Sequence, residues 1–157
     1  MARIKNNIWN NLKYKLNGLI IILPFYFLYQ SLFPVFPDAW TTKAVGEFEV
    51  TPLPYNLEPP YLHHGSYTKD FMLTFSQGNI DHIRQAYLNI GKSSLSLTSL
   101  QRGDEGILHG SKHGQEVHAI SPKILSSEDK VWLTIEDWKG QIITTSWELP
   151  KELLQQH

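Results

Sequence analysis

The residues of this chain whose types and spacing could do chemistry are its histidines. Five of the seven fall into two groups: His63 and His64 are adjacent, and His109, His113 and His118 lie within ten residues of one another. Neutral imidazole is a ligand that both Cu(II) and Zn(II) accept. The chain contains no cysteine, so a metal site would depend on histidine and carboxylate ligands. We therefore take these five histidines as candidate metal ligands.

Whether His109 and His118 can share an ion depends on the turn of the hairpin predicted to carry them. If the chain turns at His113-Gly114, with glycine supplying a positive φ, the register places His109 opposite His118. Directly opposed side chains have Cβ atoms about 4.5–5.5 Å apart. A four-residue turn at 111–114 would instead pair His109 with Glu116. The further ligands would come from other histidines and from nearby carboxylates, namely His63, His64, Asp104, Glu105 and Glu116.

Motifs for catalysis and for nucleotide binding are weak in this sequence. Gly91-Lys92-Ser93 matches the end of a phosphate-binding loop, but that motif needs a glycine five residues before Gly91, where this chain has Ala86. No pairing of a nucleophile with a base rises above chance. We therefore predict that the chain is not an enzyme and binds no nucleotide, and that its only candidate cofactor is a Cu(II) or Zn(II) ion.

Charge is distributed unevenly along the chain, although the formal net charge is only −1. Residues 1–17 hold four basic residues and no acid, residues 16–37 hold no charge, and the chain from Asp38 onward holds ten basic against fifteen acidic residues. Basic flanks stay on the cytoplasmic side of a membrane span. The acidic remainder argues against nucleic acid as a partner, because its binders carry a basic face.

The uncharged stretch is long enough to cross a bilayer, since about 20 helical residues reach about 30 Å. We predict a basic cytoplasmic tail at 1–17, a transmembrane helix at 18–37, a tether at 38–45 and an extracytoplasmic domain at 46–157, periplasmic if the host is bacterial. A cleaved signal sequence is the alternative, but its apolar region is shorter, about 7–15 residues. Pro24 predicts a kink in the span, and Gln30 hints at a neighbouring transmembrane helix.

Beyond residue 45 the apolar residues alternate with polar ones, which indicates strands. Prolines at 52, 54, 59 and 60 predict an extended loop over 51–66 that is neither helix nor central strand. A short helix is expected near 150–156. The predicted strands cover residues 46–51, 67–76, 82–90, 94–100, 107–109, 115–120, 131–137 and 141–149. This number of short strands predicts a mainly β domain, an immunoglobulin-like antiparallel β-sandwich of about seven or eight strands.

The predicted layout resembles that of small accessory proteins of respiratory oxidases, of which the FixH type has one N-terminal span and an outward immunoglobulin-like domain. The function we expect is a non-enzymatic accessory, assembly or interaction subunit of a larger membrane complex, with other integral membrane proteins as partners and the lipid bilayer contacted through residues 18–37. The alternative is an extracytoplasmic module that handles copper or zinc. Aromatic residues expected at the surface favour the first function; they are Tyr55, Tyr61, Tyr87 and Trp132.

Overall fold

The computed structural model of the protein describes residues 8–154, with side chains from residue 12 onward. Residues 1–7 of the predicted cytoplasmic tail therefore lie outside the described residues. The chain divides into two compact units, with the boundary between Val35 and Phe36. Each unit is described by itself.

The first unit is built on helix α1, Ile8–Leu32. Its segment Leu12–Leu32 is long and apolar enough to cross a membrane, a criterion that a signal sequence or the core helix of a soluble protein also meets. The helix ends five residues before the predicted limit of the span. Phe33 precedes Pro34, and a residue before proline is driven out of the helical conformation.

The second unit is mainly β, as predicted. Its strands are β1 (Lys43–Val45), β2 (Phe48–Pro54), β3 (Tyr61–His63), β4 (Ser66–Gln77), β5 (Ile83–Gly91), β6 (His109–Ser111), β7 (Gly114–Ile120), β8 (Lys130–Asp137) and β9 (Ile142–Glu148). Short helices α2 (Leu97–Leu100) and α3 (Lys151–Leu154) and one 3₁₀ turn (Ile80–His82) complete it. The helix expected near the C-terminus is therefore present as α3.

Within the described residues the nine strands form one sheet in the order β1-β2-β4-β7-β5-β8-β9, with β3 added to β4 and β6 added to β7. The two end strands approach each other and nearly close a barrel. Lys43 Nζ donates to the carbonyl of Ser146 at 2.5 Å, and Trp147 Nε1 donates to the carbonyl of Thr41 at 2.7 Å. An immunoglobulin-like sandwich of two sheets is thus not confirmed.

A short segment, residues 105–108, fills the gap where β5 and β7 diverge. These two strands run parallel and pair only at Asn89 and Ile120. Beyond that point, Leu88 N donates to the carbonyl of Gly106 at 2.7 Å, and Gly106 N donates to the carbonyl of His118 at 2.9 Å. Gly106 has a φ of +84°, and a Cβ there would lie 3.1 Å from the carbonyl oxygen of Leu88. The geometry therefore requires glycine, and it holds the preceding residue, Glu105, beside β7.

The core fills the inside of the nearly closed sheet with alternate residues of the strands. The residues that alternation places on one face of three strands are buried, apart from Phe75, which is only partly buried: Phe71 and Leu73, Ala86, Leu88 and Ile90, and Val131, Leu133 and Ile135. Trp147 joins them. Full burial of a valine, leucine, isoleucine or phenylalanine side chain contributes about 1.5–3 kcal/mol to the stability of the fold. Tyr87, expected at the surface, is instead 4% exposed, because the segment at Ile107 bridges onto it.

Two local predictions were wrong. Residues 94–100 were expected to form a strand, but Ser96 caps a helical turn, with its Oγ accepting from Ser99 N at 3.2 Å. The loop predicted for residues 51–66 is also partly strand, since β2 runs through Pro52 and Pro54. β1 pairs only with residues 48–50, so both prolines lie where β2 has a strand partner on one side, a position that tolerates a missing N–H.

Candidate metal centre

The hairpin between β3 and β4 positions the first histidine pair. His63 is paired with Ser66, and His64-Gly65 forms the two-residue turn, with φ values of 44° and 88°. Such turns favour Asn-Gly or Gly-Gly, because both central residues adopt a positive φ. Among the non-glycine residues that the structure describes, His64 is the one with a positive φ. A side chain held in this conformation costs about 1–2 kcal/mol, and such residues cluster at functional sites.

Glu105 joins the two histidines. Its Oε1 lies 2.8 Å from His63 Nδ1 and 3.3 Å from His64 Nδ1, and the two imidazole rings are 4.0 Å apart. The carboxylate is 10% exposed, whereas the side chain of His64 is 76% exposed. One ligand atom from each of the three residues lies within 4.8 Å of the other two. The site thus combines a buried carboxylate, that of Glu105, with a solvent-accessible imidazole, that of His64.

A second histidine–carboxylate pair lies beside the first. Asp70 on β4 and His118 on β7 are directly opposed, and His118 Nδ1 is 2.7 Å from Asp70 Oδ1. The hydroxyl of Tyr61 reaches both oxygens of Asp70, at 3.0 and 3.1 Å. Burial, and then the Asp70 carboxylate, raise the pKa of Tyr61, so its hydroxyl stays a donor. The ring of His118 is 4.9 Å from that of His63.

His109 lies next along the same face, in a register that corrects the favoured prediction. β6 and β7 pair His109 with Glu116 and Ser111 with Gly114, so the expected pairing of His109 opposite His118 is wrong. The turn spans residues 111–114, because Ser111 Oγ accepts from the backbone N–H of His113 at 3.2 Å. His109 and His118 are nevertheless diagonal neighbours, with ring centroids 6.1 Å apart.

The predicted ligands therefore separate into those that the fold brings together and those that it does not. His63, His64, His118 and His109 form a row of imidazoles along one face, and Glu105 joins the row at the first two. His113 lies in the exposed β6–β7 turn, and Asp104 is exposed before Glu105. Glu116 faces His109 rather than the first pair.

Asp70 and Tyr61 are the residues of this site that sequence reasoning missed. The one available signal was a carboxylate at residue 70 beside the inward residue Phe71 of an alternating strand. That signal does not identify the partner of Asp70, because His118 lies 48 residues later in the sequence.

Lys69 hydrogen-bonds to the segment that precedes β3, at Asn56 and Glu58. Its side chain is 2% exposed, and Nζ donates to the carbonyls of Glu58 and Asn56 at 2.6 and 3.1 Å and to Asn56 Oδ1 at 3.2 Å. Burial lowers the pKa of Lys69 to about 8, with the carboxylates of Asp70 and Glu58 opposing the shift. The proline-rich loop, and with it Tyr61 and His63, is thus tied to β4.

The donor set suits a divalent transition-metal ion. Zn(II) binds imidazole nitrogen and carboxylate oxygen at about 2.0–2.2 Å, and Cu(II) accepts the same ligands. Two donors of one such ion therefore lie at most about 4 Å apart. The ligand atoms of His63, His64 and Glu105, all within 4.8 Å of one another, lie near that range.

Fold and site together define a mainly β domain that follows an apolar N-terminal helix in the sequence and carries a histidine–carboxylate cluster. Residues 8–150 match the model of the family described as Uncharacterised conserved protein UCP029505, and the chain belongs to that family. A search of curated proteins and a search of solved structures gave no match.

Proposed function

We propose that the protein binds a divalent transition-metal ion, Cu(II) or Zn(II), through His63, His64 and Glu105. The observation that carries this proposal is the convergence of the three residues, whose ligand atoms lie within 4.8 Å of one another. The strained backbone of His64 supports it, since a hairpin turn there would be less costly with asparagine or glycine.

The exposure of the ligands favours exchange of the ion over permanent storage. Glu105 is buried, but His64 is open to solvent, so an ion can enter and leave through the imidazole edge. For a given set of nitrogen and oxygen ligands, Cu(II) binds more tightly than Zn(II). We therefore propose metal handling, with Cu(II) bound more tightly than Zn(II), rather than a closed structural site.

Titration of the full-length protein in detergent with Cu(II) and with Zn(II) tests this function. We expect His63→Ala and Glu105→Gln each to weaken binding at least tenfold. His82→Ala is the matched control, because His82 Nδ1 lies 2.8 Å from Glu47 Oε1 in an equally short pair elsewhere on the domain. The proposal is wrong if the wild-type protein binds no more tightly than His63→Ala, or if His82→Ala weakens binding as much.

We further propose that α1 anchors this domain outside the cytoplasm. The support is the apolar segment Leu12–Leu32 together with the four basic residues in 1–17 and the acidic balance that follows. A reporter enzyme that is active only outside the cytoplasm, fused after residue 157, is expected to be active. An inactive fusion at normal abundance, or release of the protein from membranes by alkaline carbonate, would contradict this orientation or the anchor.

An accessory role in a larger membrane complex is a second candidate, and it is compatible with metal binding. It is favoured by a polar pair on the helix, where Gln30 Nε2 donates to the hydroxyl of Tyr26 at 2.8 Å. Amides within spans often hydrogen-bond across to neighbouring helices. Affinity purification from mild detergent is expected to recover other integral membrane proteins with the wild type and fewer with Gln30→Leu. Recovery of a lone monomer would count against this role.

A further inference from the structure

We infer that His118 is a further ligand of the same ion and that Asp70 positions its ring. This inference rests on the proposed function, because it extends the ligand set of His63, His64 and Glu105. It adds a ligand from β7, His118, and a positioning residue from β4, Asp70, to the site.

The contact with Asp70 determines which ring nitrogen of His118 faces away from the carboxylate. His118 Nδ1 lies 2.7 Å from Asp70 Oδ1, and an ionised carboxylate only accepts hydrogen bonds. Nδ1 therefore carries the proton and donates it. In a neutral imidazole the lone pair is then on Nε2, the atom left to bind a metal. Metal-binding histidines commonly have their second nitrogen held by a carboxylate in this way.

Asp70 is itself held in place. Tyr61 donates its hydroxyl to the carboxylate, with distances of 3.0 and 3.1 Å to the two oxygens. Tyr61 lies on β3 two residues before His63, and adjacent β4 carries Asp70. The hydrogen bonds from Tyr61 to Asp70 and from His118 to Asp70 therefore link the orientation of the His118 ring to β3, the strand that carries His63.

The His118 ring lies beside the group of His63, His64 and Glu105 but is not a member of it, so sharing an ion requires the ring to move toward that group. Its centroid is 4.9 Å from that of His63, and its side chain is 33% exposed. With His118 the site offers three imidazole nitrogens and one carboxylate oxygen, the four ligands of a tetrahedral Zn(II) or a tetragonal Cu(II) centre. His109 is one step further along the row, 6.1 Å from His118, and its Nδ1 lies 3.4 Å from the carbonyl of Ile107.

Titration with Cu(II) and electron paramagnetic resonance of the full-length protein in detergent test the inference. We expect His118→Ala to weaken binding at least tenfold and to remove one nitrogen from the Cu(II) spectrum. Asp70→Asn should weaken binding about 10–100-fold and leave the nitrogen count unchanged, because the ligand remains but loses its orientation. His82→Asn is the matched control, because His82 lies in a histidine–carboxylate pair away from this cluster; its affinity and spectrum should be unchanged. His118→Gln, which keeps much of the side-chain volume, replaces His118→Ala if that variant does not fold.

Failure of this inference is distinguishable from failure of the proposed function. If His63→Ala weakens binding but His118→Ala and His118→Gln bind Cu(II) like the wild type with the full nitrogen count, His118 is not a ligand and the three-residue site stands. If Asp70→Asn binds like the wild type, Asp70 does not position the ring. If the wild type binds no Cu(II), both proposals are overturned.

Discussion

Asp70 and His118 are directly opposed on β4 and β7, with the imidazole Nδ1 2.7 Å from the carboxylate Oδ1. Because β3 pairs with the other side of the first half of β4, this strand joins two histidine groups that are far apart in sequence. The β3–β4 hairpin positions His63, and the pairing of β7 with β4 positions His118. The centroids of their rings are 4.9 Å apart. The site is therefore a product of strand pairing rather than of any local motif.

The conformation of His64 predicts a conflict between stability and metal binding. Its φ of 44° disfavours any residue with a Cβ. In the metal-free protein we expect the free energy of unfolding of His64→Gly to be about 1 kcal/mol higher than that of His64→Ala, because only glycine relieves the strain. Both variants remove the ligand, so both should lose metal affinity equally. Urea denaturation and Cu(II) titration measure the two effects, and equal stability of the two variants would argue against a strained turn.

Burial of Lys69 predicts an unusual rise of stability at alkaline pH. The pKa is lowered from 10.5 to about 8 in the folded protein, so between these pH values the unfolded chain binds more protons. The free energy of unfolding therefore rises as the pH increases from about 8 to about 10.5, by up to about 3 kcal/mol. Denaturation over this pH range with a chelator present measures it. Lys69→Met should lack the rise, and the same slope in both proteins would contradict the prediction.

Truncation of Leu133 tests where the core lies. This side chain is 0% exposed between the paired strands β5 and β9, so Leu133→Ala should lower the free energy of unfolding by about 2–5 kcal/mol. Leu62→Ala is the control, because Leu62 is 63% exposed and such changes cost less than about 0.5 kcal/mol. Comparable losses in the two variants, measured by urea denaturation, would place the core elsewhere.

The hydroxyl of Tyr61 predicts a small effect on stability and a distinct effect on metal binding. Tyr61→Phe removes the donor to Asp70, which should cost about 0.5–1.5 kcal/mol of stability. Freed of this hydrogen bond, Asp70 holds His118 less firmly, so Cu(II) affinity should also fall. Tyr67→Phe removes a hydroxyl from the same hairpin and should leave Cu(II) affinity unchanged. Wild-type affinity in Tyr61→Phe would exclude this link.

Alternation of apolar residues was sufficient to predict most strands. The inward residues of β4, β5 and β8 follow a period of two, which is a local property of extended backbone, and their burial confirms the pattern. The prediction for 94–100 was wrong because Ser96 offered a helix cap, which competes with extended backbone in a serine-rich segment. Alternation also says nothing about how sheets close, so one nearly closed sheet and a two-sheet sandwich could not be distinguished.

Residue types and local order determined which chemistry was available. Without cysteine, and with paired and clustered histidines, the sequence by itself limited any transition-metal site to imidazole and carboxylate ligands, and it placed an apolar, uncharged segment near the N-terminus. Only the tertiary structure decided which ligands meet. Moving the β6–β7 turn by one residue changes the partner of His109 from His118 to Glu116, and the choice of Glu105 depended on the close approach of Gly106 to β5. Pairing between distant strands brought His63, Glu105 and His118 to one face, and no local pattern specifies such pairing.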